Sequence, residues 1–117
     1  MRGRMVGMGY CIYITRANDW LNSAETPISD SEWRAVVESD PCLSFNSADY
    51  SIADLPGSES SRIHPVEWSG AADDNCLWCE RGAIKCKNPS ELWISKMVEL
   101  AALLNARVLG EANEVYR

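Results

Sequence analysis

From Tyr10 to Thr15 the chain reads Tyr-Cys-Ile-Tyr-Ile-Thr, with no alternation of polar and apolar positions. Such a β-branched and aromatic run predicts a strand covered on both faces, and therefore a central one. Ala17 to Thr26 reads as a connection, with Trp20 and Leu21 folded back onto the core. Pro27-Ile-Ser-Asp-Ser-Glu-Trp33 is a helix start. Ser29 is placed to cap the amide of Glu32 while the Glu32 carboxylate returns to the amide of Ser29, and Ile28 and Trp33 stand at staple positions. Trp33, Val36 and Val37 form the expected buried stripe, and Asp40-Pro41 ends the helix. Cys42 to Phe45 predicts a short strand, and His64 to Trp68 an edge strand that tolerates Pro65.

Two segments, Cys76–Glu80 and Ala83–Lys87, flank Arg81-Gly82 and predict a two-residue hairpin. The register then pairs 80 with 83, 79 with 84, 78 with 85 and 77 with 86. Leu77, Cys79, Ile84 and Cys86 share a core face; Cys76, Trp78, Lys85 and Lys87 share the other. A second helix is expected after Asn88-Pro89-Ser90-Glu91, with Asn88 as its cap and Pro89 in its first turn. Leu92, Trp93, Met97, Leu100, Ala101 and Leu104 are its apolar stripe, and Asn105 a left-handed stop. Arg107–Gly110 and Glu114–Tyr116 close the chain as a strand or short hairpin. The predicted fold is α+β: two helices packed on a mainly antiparallel sheet, in the order β-α-(loop, β)-β-β-α-β.

Composition leaves this outline in place: 117 residues, 46% hydrophobic and 24% charged, suit one soluble domain. Residues 1–8 read as a disordered leader and 9–117 as the single domain. No apolar run nears the roughly 20 residues of a membrane span. The two arginines at the start precede no apolar core, so a cytoplasmic chain is expected, its five cysteines kept as thiols.

Charge adds more. Residues 46–75 hold Asp49, Asp54, Glu59, Glu67, Asp73 and Asp74 against one base, Arg62, and so five of the six net negative charges. Such a segment predicts a surface that meets a basic protein partner, and it disfavours nucleic acid, which needs clustered Lys and Arg. Trp68 and Trp78, on strands beside the segment, are candidate anchors of that interface, with a second small apolar cluster as the alternative role.

Reactive chemistry finds little support. Cys76 and Cys79 are three apart on a predicted strand, which sends their sulfurs to opposite faces, one buried and one near the surface. His64 is the lone histidine and has no local nucleophile pattern. There is no glycine-rich phosphate loop. The pair Asp73-Asp74 is ordinary for an acidic loop, whereas a glycosidase or two-metal site needs carboxylates on opposite walls of a pocket, so no cofactor, metal ion or catalytic residue is assigned. Two alternatives stay open: a small metal- or thiol-dependent enzyme or regulator using Cys76, Cys79, Cys86 and His64, and a self-associating adaptor that forms a homodimer.

The motifs Tyr13-Ile-Thr-Arg-Ala17 with Asp19-Trp20, Pro27-Ile-Ser-x-x-Glu-Trp33, Asp40-Pro41, and Lys87-Asn-Pro through Asn105-Ala-Arg-Val108 resemble those of small acidic bacterial proteins encoded beside polymorphic toxins, including Rhs-type carriers. The resemblance covers about two thirds of the chain, mostly its scaffold. It implies a cytoplasmic immunity protein that neutralises a cognate toxin, and it assigns no functional residue.

Overall fold

The structure is a computed structural model, and it describes residues 10–45, 50–51, 62–63, 65–71, 73 and 75–117. Its frame is a five-stranded, wholly antiparallel sheet built from β1 (Cys11–Thr15), β6 (Trp78–Glu80), β7 (Ala83–Lys87), β8 (Arg107–Gly110) and β9 (Val115–Tyr116). The strand order is β6-β7-β1-β8-β9, so the apolar run at 11–15 is the central strand, and all five of its residues are buried. Two smaller ladders pair β2 (Leu43–Phe45) with β5 (Val66–Trp68) and β3 (Tyr50–Ser51) with β4 (Arg62–Ile63). Val66 and Leu77 exchange backbone bonds of 2.7 and 3.0 Å, which ties β5 to the approach of β6.

Helices α1 (Asp30–Ser39) and α2 (Glu91–Leu103) contribute Trp33, Val37, Trp93, Met97 and Leu100 to one core with Ile12, Ile14, Ile84, Cys86 and Val108 of the sheet. The α+β fold class and the outline order of elements hold. The capping box is present in both directions, and Ile28 and Trp33 are each 1% exposed. Arg81 and Gly82 both have positive φ (54° and 86°), as a type I′ turn requires, and the register 78–85, 79–84, 80–83 follows from it. The hairpin tip is docked: the Gly82 carbonyl accepts from Ile28 N at 3.0 Å.

Four local expectations are corrected. The connection after β1 contains a short 3-10 helix, Trp20–Glu25, and Leu21 on it is 70% exposed. Ser90, accepting from Trp93 N, caps α2 in place of Asn88. Asn88 instead takes a left-handed conformation (φ 49°) and exchanges two hydrogen bonds with Tyr10. Leu92 is half exposed, and the buried face of α2 includes Lys96. The Lys96 ammonium donates to Asp40 at 2.6 Å and Glu99 at 3.2 Å, and it stands 5.5 Å from the centre of the Trp68 ring. Burial works against that charge, but the two carboxylates outweigh it and raise its pKa. Cys76 and Cys79 are both half-buried, in place of one buried and one near the surface. The leader (1–8) lies outside the described residues. No described helix is long and apolar enough to cross a membrane.

Candidate functional site

The sheet's second face, away from α1 and α2, carries one continuous row. Successive registers align Trp78 with Lys85, Lys85 with Tyr13, Tyr13 with Leu109 and Leu109 with Val115. One half of the row is roofed. Trp20 stacks flat on Tyr13, with centroids 4.4 Å apart and planes 4° from parallel, and its indole donates to Glu111 O at 2.8 Å. The other half stays partly open at Lys85 and Trp78.

Lys85 bridges the two aromatics. Its ammonium lies 5.9 Å from the Tyr13 ring centre and 5.7 Å from that of Trp78, with Glu80 Oε1 at 3.8 Å. The same Glu80 oxygen accepts from Trp78 Nε1 at 3.0 Å. Trp78 is therefore a half-buried indole whose polar atom is satisfied and whose ring is held by a cation–π contact. An ordered aromatic on an edge strand loses little side-chain freedom on binding.

Trp68 has a different setting. Its ring packs edge-on against Trp93 (5.3 Å, 70°), and it lies so close over Gly70 that a Cβ there would stand 2.7 Å from the indole. Trp68 covers the core edge, while Trp78 faces outward. Both are expected anchors, and the structure places them on opposite sides of the sheet.

Of the six acids, Glu67 and Asp73 are described. Glu67 is exposed on β5, and its charge contributes, after burial, to raising the Cys76 thiol. Asp73 is exposed, but one of its carboxylate oxygens accepts from Trp93 Nε1 at 2.9 Å and from Asn75 N at 3.2 Å. Trp93 has no exposed surface, so Asp73 satisfies a donor that water cannot reach. Asp49, Asp54, Glu59 and Asp74 lie outside the described residues, as does His64.

All five cysteines are free thiols. Burial pushes Cys11, Cys76 and Cys86 up, and Cys79 up to about 11, in the direction opposite to that of an activated nucleophile. Among the described residues no group of three or more His, Cys, Asp or Glu could hold a metal ion.

Sequence reasoning placed Lys85 beside Trp78 but missed Tyr13 and Trp20 as the rest of the stack. The alternation of β1 put Tyr13 on this face; its partner strand, more than seventy residues away, had no local signal. No protein-family model matches the chain, and no match was found among curated proteins or solved structures.

Proposed function

We propose that this chain is a non-catalytic binding protein that docks a basic protein partner through its acid-rich segment and Trp78, and that its specific role is immunity against a cognate toxin. The observation that carries the docking reading is Trp78, fixed by Lys85 and Glu80 on the sheet edge to which Val66 joins the acidic segment. A preformed aromatic anchor on a chain whose 46–75 segment is rich in carboxylates suits a basic groove: the acids steer encounter and the indole supplies apolar contact. The immunity role rests on the resemblance to small acidic proteins encoded beside toxins. An enzymatic reading has less to draw on, since the thiols are raised by burial.

The test is affinity capture from a lysate of the host, at low salt and again near 1 M, where the screening length falls to about 3 Å. A second bait carries Asp49→Lys, Asp54→Lys, Glu59→Lys and Trp78→Ala. Asp73 is left intact because it supports Trp93. A basic protein should be retained at low salt, released at high salt, and lost by the variant bait, with circular dichroism showing that bait folded. Equal retention by both baits removes the docking reading. A retained protein that is harmless when expressed without this chain removes the immunity role alone.

A further inference from the structure

The opposite edge of the sheet carries a second, independent feature. Gly110 N donates to Glu114 O at 2.9 Å, and Val108 pairs with Tyr116 two residues further along. By the alternation of an antiparallel ladder, the amide and carbonyl of the intervening Val115 point away from β8, toward the open side of β9. Val115 is half exposed, and β9 ends the strand order, with no further strand beside it among the described residues.

Alongside this edge runs an apolar cleft of about 430 Å³. Val98, Ala101 and Ala102 of α2 line one wall, and Val108 and Tyr116 the other. The Tyr116 hydroxyl donates to Glu114 at 2.9 Å, which fixes the ring. The charged residues of the lining are Arg107 and Arg117; none is acidic. Arg107 donates to Asn18, while Arg117 is exposed with no ion pair among the described residues.

We propose that this edge and cleft take an extended peptide, added beside β9 as a sixth strand, in which apolar and acidic residues alternate. The alternation follows from the pleat. Every second side chain of such a strand, level with Tyr116, points toward α2 and meets the alanine floor, whereas those between them, toward the exposed Arg117, come within reach of its charge. The small side chains at 101 and 102 leave room for an aliphatic group such as valine. A second copy of this chain is the weaker occupant, because self-pairing of two β9 edges brings together two cleft linings whose charged residues are arginines.

The test is an NMR titration of the full ¹⁵N-labelled chain with a capped Asp-Val-Asp-Val-Asp peptide, and with a control carrying lysine for aspartate. Saturable shifts are expected at Ala101, Ala102, Val115, Tyr116 and Arg117, with slower hydrogen exchange at the Val115 amide. Arg117→Glu should weaken binding about tenfold by replacing attraction with repulsion. Ala102→Glu should abolish it by filling the cleft. Both positions are exposed, so both variants should melt like the parent. Absence of saturable shifts, shifts centred elsewhere, or equal binding of the lysine peptide would overturn the proposal. So would a concentration-dependent dimer that protects Val115 without peptide.

Discussion

Arg16 and Glu32 meet as a two-bonded fork, Nη1 to Oε1 at 3.0 Å and Nη2 to Oε2 at 2.9 Å. Arg16 follows β1, and it also donates through Nε and Nη2 to the Leu104 carbonyl at 3.0 and 2.8 Å. Glu32 meanwhile accepts from Ser29 N at 3.0 Å to complete the helix cap. Two side chains thus join the end of the central strand, the start of α1 and the end of α2.

The pair sets an acid dependence. Arg16, and then the Ser29 amide, lower the Glu32 pKa from 4.5 to about 2. A carboxylate depressed in the folded state stabilises it above the unfolded pKa, and that contribution is lost as pH falls through the folded one. Melting temperature should therefore drop between about pH 4.5 and 2. In Glu32→Gln, which keeps the capping pattern but loses the charge, the drop over that window should be smaller. Thermal melts of both proteins at half-unit pH steps check this; identical curves would mean that Glu32 titrates normally.

Two buried tryptophans differ in one hydrogen bond, and this predicts different tolerance. Trp33 Nε1 is buried without a partner among the described residues, whereas Trp93 Nε1 donates to Asp73. Trp33→Phe loses apolar area but relieves an unsatisfied donor, so it should lie within about 1 kcal/mol of the parent. Trp93→Phe loses area and a charge-assisted bond, and should cost about 1–3 kcal/mol more than the Trp33 change. Urea unfolding of the two variants ranks them; a larger loss at Trp33 would contradict the assignment.

Gly82 should reject any side chain. Its φ is +86°, and a Cβ there would sit 2.6 Å from the Ser23 carbonyl oxygen and 3.0 Å from Pro27 Cβ. Gly82→Ala combines strain of about 1–3 kcal/mol with a backbone clash, so it should lower stability by at least about 2 kcal/mol. Arg81→Asn, at φ 54°, keeps a turn residue suited to that conformation and should be neutral or mildly stabilising. Chemical denaturation of both variants reads the difference.

What could be read in advance was what neighbouring residues decide. The Ser29–Glu32 box lies within four residues, and the turn at Arg81-Gly82 fixes its own register. The misreadings came where distant chain intervenes. Asn88 looks like a cap until Tyr10 claims its side chain, after which Ser90 takes the role. Lys96 is absent from the expected apolar stripe of α2, yet it is buried there, and Asp40, 56 positions earlier, makes that burial tolerable. The candidate site divides in the same way: Trp78 and Lys85 belong to one hairpin, but Tyr13 joins them only once the sheet has closed.

Because β1 pairs on one side with β7 and on the other with β8, the middle strand is the first made and among the last to be flanked. On a ribosome, its second side stays unpaired until Arg107–Gly110 has emerged and the β8 ladder can form. Such long-range closure slows folding and leaves a sticky strand exposed to aggregation in the interval. Nascent chains halted before Arg107 should accordingly depend on chaperones more than chains extended past Gly110.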